Sequence, residues 1–248
     1  MAGSDNTPLI SIIIPTLQEE KLIGRTLEQF SNGLRDRYSL EVIVSDGGST
    51  DRTVPLAQGK SDLVVCNHNG CAENISIGRN RGAGAARGEI LMFFNADVRI
   101  ADPELFFRRM VDVIRDESVS AATCNVLIYP EEERTIDRVF HRFFNRYCRF
   151  LNDSGMGMGR GECHVIRRKV FEKAGGYNAK MAAGEDYELF VRLRHSGQVR
   201  FDSALTVFES PRRYRKLGYA AVVLLWCLNG LAALIFHRSI VKRWKPVR

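Results

Sequence analysis

The run Glu41-Val42-Ile43-Val44-Ser45 constrains this chain most, because it ends abruptly in an acidic, glycine-rich turn, Asp46-Gly47-Gly48-Ser49-Thr50-Asp51. A short apolar run bounded in this way reads as a buried strand. In α/β proteins, small ligands bind just outside the carboxyl ends of strands. The two glycines let backbone and ligand approach closely. A carboxylate at that end suits a ribose or a base and suits phosphate poorly, because like charges repel. Read alone, the turn serves equally well as a strand-to-helix connection capped by Ser49 or Asp51.

The pattern recurs along the chain. Residues 9–15 read as a buried strand of isoleucines broken by Ser11 and stopped by Pro15. Residues 19–35 carry helical periodicity through Leu22, Ile23, Thr26, Leu27 and Phe30. A helix over 53–58 and a strand over 63–66 come next. Residues 75–87 look helical despite their glycines, and 89–95 form an apolar strand. Further elements are a helix at 103–116, a strand at 120–128, a glycine-methionine loop at 155–161, helices at 170–174 and 186–196, and a closing strand within 199–208. This alternation implies an α/β protein with a Rossmann-like, mostly parallel central sheet flanked by helices. The 248 residues suffice for one domain, expected at residues 1–210, with a basic-flanked hydrophobic segment at 211–248.

The net charge of +7 is unevenly spread and argues for an anionic partner. The six cysteines show neither zinc-ribbon nor redox spacing, which favours a reduced setting. Met1 to Pro8 is short and polar and reads as no signal peptide. Gly82-Ala83-Gly84-Ala85-Ala86-Arg87 breaks the dinucleotide fingerprint and precedes a strand, and no Gly-Lys-Ser/Thr phosphate loop exists. His141, His164 and His195 are isolated and read as surface or core residues.

Four segments stand in order: Pro15-Thr16-Leu17-Gln18-Glu19, the Asp46 turn, Asn95-Ala96-Asp97, and Gly184-Glu185-Asp186. Over roughly residues 9 to 210 they resemble the inverting family-2 glycosyltransferases of the GT-A fold, which use nucleotide-sugars. The resemblance implies that Pro15, Thr16 and Glu19 line a nucleotide pocket and that Asp46 holds the base or ribose. Ile77-Gly78-Arg79-Asn80-Arg81-Gly82 is similar to the family's basic helix start, so Arg79 or Arg81 would offset diphosphate charge. Asn95, Ala96 and Asp97 take the place of the family's two-aspartate metal motif. Asp97 is then the expected ligand of Mg2+ or Mn2+, and Asn95 removes one negative charge. Glu185-Asp186 resembles the acidic pair in which the aspartate is general base. Gly159-Arg160-Gly161-Glu162 looks like the acceptor-side loop, with Gly161 and Glu162 as acceptor contacts.

Residues 217–236 carry one clearly polar side chain, Asn229. As a helix they would extend about 30 Å, near the hydrocarbon thickness. Arg212, Arg213, Arg215 and Lys216 precede the segment; Arg238, Lys242, Arg243, Lys245 and Arg248 follow it. Both flanks therefore favour the cytoplasmic side, which an interfacial or re-entrant helix satisfies better than a single span. In residues 138–151, helical spacing puts Phe140, Phe143, Phe144, Tyr147 and Leu151 opposite Arg138, Arg142, Arg146 and Arg149. Such a helix suits an anionic membrane surface or an ordinary core-facing position.

These readings converge on an inverting glycosyltransferase at the cytoplasmic face of a membrane. Its partners would be a nucleotide-sugar donor, a hydroxyl or lipid-linked acceptor and the membrane surface, with no nucleic acid. Two rivals remain at this level. One is a transferase acting on a polyprenyl phosphate, which needs no base; the other is a non-catalytic nucleotide-binding protein.

Overall fold

The computed structural model describes residues 9–67, 73–236 and 239. From the N-terminus run β1 (Ile10–Thr16), α1 (Ile23–Glu28), α2 (Asn32–Tyr38), β2 (Leu40–Asp46), α3 (Thr53–Gln58), β3 (Leu63–Cys66), α4 (Ile75–Ala85) and β4 (Ile90–Phe94). β5 (Arg99–Ile100), α5 (Pro103–Arg115), β6 (Val119–Ile128), α6 (Thr135–Asp153), β7 (Cys163–Arg167) and α7 (Arg168–Lys173) follow. The described chain then passes through α8 (Glu185–Leu193), β8 (Gln198–Glu209), α9 (Arg212–Leu217) and α10 (Tyr219–Phe236).

The strands form one sheet in the order β3-β2-β1-β4-β7-β6-β8-β5. β1 to β4 are mutually parallel, and the β1–β2 register sets Thr16 beside Asp46 at the carboxyl ends. Side chains alternate across the sheet, as a period of two requires. Ile12, Ile14, Val42 and Val44 join Leu27, Phe106 and Phe107 from α1 and α5 on one face. Ile13, Ile43 and Phe93 join Ala83, Leu189 and Phe190 from α4 and α8 on the other. The glycines of α4 permit this packing, since a Cβ on Gly82 would lie 2.5 Å from Ile13 Cγ2.

Three expectations change. The helix over 19–35 is broken into α1 and α2, because the Gln29 amide is anchored outside the helix: Nε2 donates to Val98 O at 3.0 Å and Oε1 accepts from Ile100 N at 2.8 Å. The sheet is more mixed than the alternation suggests. β7 has no counterpart among the expected strands, yet it runs antiparallel between β4 and β6. It is five residues long and wholly embedded in the sheet, so it shows no alternation of its own. Finally, the expected apolar helix starts at Tyr219, two residues late. Gly218 adopts φ 77° between α9 and α10, and only the left-handed conformation lets the chain turn there.

Among the described residues no helix is long and apolar enough to cross a membrane. Asn229, the polar residue of α10, is buried, with its backbone against Gly184 at the start of α8. Arg238, Lys242, Arg243, Lys245 and Arg248 lie outside the described residues. α6 is amphipathic, but its buried stripe is His141, Asn145, Cys148 and Leu151. Asn145 explains that choice, pairing both ways with the Val126 backbone of β6 at 3.1 and 3.0 Å. The expected aromatic face is divided. Phe140 and Phe144 pack against Tyr219 and Trp226 of α10, whereas Phe143 and Tyr147 are 70% and 46% exposed.

Candidate active site

A cavity of about 790 Å³ opens over the carboxyl ends of β1, β4 and β8. The starts of α8 and α9 and the aromatic faces of α6 and α10 complete its walls. Pro15, Thr16, Glu19, Arg79, Asn95, Ala96, Asp97, Gly161, Glu162, Glu185 and Asp186 all border it, so the sequence reading assembled one site.

Asp46 is the exception. Its Oδ1 accepts from Thr16 Oγ1 at 2.9 Å and Ser49 Oγ at 2.6 Å, and its Oδ2 accepts from Gly48 N at 2.9 Å and Ser49 N at 2.7 Å. Those four donors fill the carboxylate's acceptor sites, and the residue is 1% exposed. Asp46 therefore builds the turn, and its neighbours Ser45 and Gly47 meet the cavity. Asp46 itself closes the turn, and α3, with Arg52 at its N-cap, starts without a side-chain cap.

Arg79 also plays a different part from the one expected. Nη1 donates to Glu185 Oε1 at 2.8 Å, while Nη2 donates to Asn95 Oδ1 at 3.0 Å and Gly161 O at 2.8 Å. The guanidinium lies 5.2 Å from the Tyr177 ring centroid, with no side-chain exposure. It ties α4, the end of β4, the 159–162 loop and α8 together, and so acts as a tether for the site walls. Arg81 is likewise spent on Glu73, Ser45 Oγ and Asp46 O.

Asp186 opens α8 beside Glu185. Gly161 N donates to its Oδ2 at 3.0 Å, and Tyr187 N donates to Oδ1 at 2.8 Å. Burial, with Glu185 alongside, pushes the Asp186 carboxyl up to about 7. Gly161 sits where nothing larger fits comfortably, for a Cβ there would be 3.2 Å from Arg79 Nη2 and 3.7 Å from Asp186 Oδ2.

Asp97 and Glu19 share one cation. Arg212 of α9 donates to both Glu19 oxygens at 2.9 and 2.8 Å, and its Nη2 stands 3.1 Å from Asp97 Oδ2. Mg2+ needs near-octahedral oxygen ligation at short range. Here Asn95 turns its oxygen to Arg79, Asp97 faces a guanidinium, and Glu19 is taken up by the same arginine. Among the described residues no group of three His, Cys, Asp or Glu side chains could hold a metal ion. Asp97 is the one carboxylate of that motif, and in this arrangement it meets Arg212 rather than standing open to Mg2+ or Mn2+.

The same wall carries residues that the sequence reading assigned elsewhere or passed over. Arg160 reaches Glu209 Oε1 at 3.1 Å and Glu162 Oε2 at 3.4 Å. Tyr214 OH donates to Glu209 Oε1 at 3.0 Å. Burial among the Glu162 and Asp97 carboxylates raises the Glu209 carboxyl well above the usual range. Arg212 and Arg213, expected as part of a basic flank before the apolar segment, border the cavity. A signal existed: Glu209-Ser210-Pro211-Arg212-Arg213 ends the last strand in a turn, as the other site segments do.

The profile described as Glycosyl transferase family 2 matches residues 11–175. The probable glycosyltransferase YdaM of Bacillus subtilis is 24% identical over 223 residues, which cover 84% of this chain and 52% of that protein. Beta-monoglucosyldiacylglycerol synthase of a Nostoc species is 25% identical over 197 residues, covering 75% of this chain and 41% of its own. The chain thus spans about half the length of these curated relatives. Among solved structures, mannosyltransferase PcManGT from Pyrobaculum calidifontis, in complex with GDP-Man and Mn2+, matches with a TM-score of 0.70 at 20% identity. That match covers 91% of this chain and 62% of the other, and it shows the shared GT-A architecture. With its profile match extending over more than half of its length, and with the four motif segments set around one cavity, the chain belongs to glycosyl transferase family 2.

Proposed function

We propose that this chain moves a sugar from a nucleotide-sugar to a hydroxyl acceptor with inversion, Asp186 acting as general base. One observation carries the assignment. Seven carboxylates border the cavity, and Asp186 is the one that no described side chain pairs with as a cation. Each of the other six meets an arginine side chain within ion-pair distance. Asp186 is held only by backbone N–H groups, with its carboxyl near 7, where a base both accepts a proton and is available at neutral pH.

In the step, the acceptor oxygen forms a bond to the anomeric carbon as the bond from that carbon to the diphosphate breaks. The bonding pair leaves on the diphosphate oxygen, and the acceptor proton passes to Asp186. The Gly161 N–H and the Arg79–Glu185 tether fix the direction in which the carboxylate points. Glu162 and Gly161 lie on the acceptor side, and Pro15, Thr16 and Ala96 line the donor side.

The acceptor we favour is lipid-linked, used at a membrane surface. Phe140, Phe143, Phe144, Tyr147 and Trp226 form an apolar wall of the cavity. Exposed Phe143, Phe150 and Leu224 continue that wall onto the outer surface of α6 and α10, among Arg142, Arg146 and Arg149. Apolar side chains interleaved with arginines suit the headgroup boundary of an anionic bilayer.

Asp186→Asn tests the base. Transfer to a hydroxyl acceptor should fall by about 10²–10⁴-fold, with nucleotide binding by calorimetry unchanged. Near-normal turnover would point instead to an acceptor that is already anionic, such as a polyprenyl phosphate. Nucleotide binding without turnover in the wild type, across a panel of nucleotide-sugars, would favour the non-catalytic reading.

A further inference from the structure

We propose that Arg212, backed by Arg213, supplies the positive charge on the leaving diphosphate, so that donor binding and transfer proceed without a resident divalent ion. The inference rests on the glycosyltransferase reading and adds to it the identity of the group that receives the departing charge.

Asn95 stands where a carboxylate would be needed for a second metal ligand, and its oxygen is committed to Arg79. The remaining carboxylate of that motif, Asp97, meets Arg212 at 3.1 Å. A divalent ion on Asp97 would have to sit beside that guanidinium, and the two cations would repel. Arg212 is positioned, not merely present. Glu19 grips it in a bidentate pair while Asp97 holds the opposite edge of the same Nη2.

A guanidinium offers five N–H donors, and these contacts take three. The others remain for an anionic ligand in the cavity that Arg212 and Arg213 border. Arginine matches phosphate in a planar, two-pronged geometry and stays charged when desolvated. Arg213 lies next to it near Asp97, Glu162 and Glu209, and adds a second positive charge to that wall. When the anomeric carbon–oxygen bond breaks, the electron pair arriving on the diphosphate oxygen meets a fixed cation. That is the role a metal ion fills where one is bound.

The test is nucleoside diphosphate binding by the full chain. UDP and GDP are titrated calorimetrically in EDTA and in excess Mn2+, with uridine and guanosine as controls without phosphate. The expected result is that the diphosphate that binds does so equally in both buffers. Arg212→Gln should weaken that binding by about tenfold or more while leaving the nucleoside unaffected, since one charge-assisted bidentate contact is lost. Arg212→Lys, which keeps the charge and loses the fork, should fall between and stay indifferent to Mn2+; its melting temperature controls for folding. Mn2+ uptake followed by electron paramagnetic resonance gives an independent readout. The wild type should take up none, with or without nucleotide, and Arg212→Gln should gain a site on the released Glu19 and Asp97. Diphosphate binding that requires Mn2+ in the wild type, or survives intact in Arg212→Gln, would overturn the proposal. If neither diphosphate binds in either buffer, the glycosyltransferase reading itself fails.

Discussion

Arg79 and Glu185, 106 positions apart, meet at 2.8 Å with the arginine wholly enclosed and the glutamate nearly so. The pair joins the helix after β3 to the helix that bears Asp186. It therefore sets the distance between the two halves of the cavity.

Breaking that pair should be costly. Removing one partner of a buried ion pair leaves the other charge uncompensated, at about 3–5 kcal/mol. Arg79→Ala should lower the unfolding free energy by that order in urea titrations. A variant that folds normally but only raises the donor KM would show that Arg79 is a phosphate contact after all.

Gly161→Ala separates positioning from folding. The added methyl would press on Arg79 Nη2 and approach the Asp186 carboxylate, displacing the base rather than removing it. A misplacement near 1 Å typically costs about 10²-fold in rate. We expect kcat to fall by that order with the donor KM little changed; an equal rise in KM would place the defect in binding.

The pH profile follows from Asp186. The base works only when ionised, so kcat/KM should fall below a midpoint near pH 7, and Asp186→Asn should abolish that limb. Stability moves the opposite way. A carboxyl raised in the folded state binds its proton more tightly there than in the unfolded chain. The native state is thus progressively destabilised as pH rises from the ordinary carboxylate range toward 7. Asp186→Asn should then melt higher than the wild type at pH 8 and no higher at pH 4. Equal melting differences at both pH values would contradict the raised carboxyl.

The membrane surface is tested by charge. Phe143→Asp with Leu224→Asp replaces exposed side chains and leaves the core alone. Co-sedimentation with vesicles containing anionic lipid should drop strongly, with an unchanged melting temperature. Undiminished sedimentation would remove α6 and α10 as the docking face.

The sheet and the cavity were legible because strand ends leave sharp marks: a β-branched run, then glycine, proline or an acid. Pro15 and Asp97 carry such marks, Asp186 the matching mark of a glycine before an acidic helix start, and all reached the cavity. The roles of Asp46 and Arg79 were not legible, because a saturated carboxylate and a ligand-binding one have the same letter. Only the third dimension counts the donors around each. Arg212 was misread for a related reason. A run of arginines before an apolar helix looks like a membrane flank until Glu19, 193 positions earlier, is seen to hold one of them. β7 escaped because a strand enclosed on both faces and both edges has no pattern distinct from a turn.

Helix α9 has a practical consequence for how the chain is divided. Arg212 on one side holds Glu19, and Arg215, one turn on, holds Asp137 of α6. A chain cut at residue 210 would keep every strand, yet it would lose the clasp between the loop after β1 and helix α6. The smallest piece expected to work as an enzyme therefore runs past the last strand, well beyond the 11–175 stretch by which its kinship is recognised.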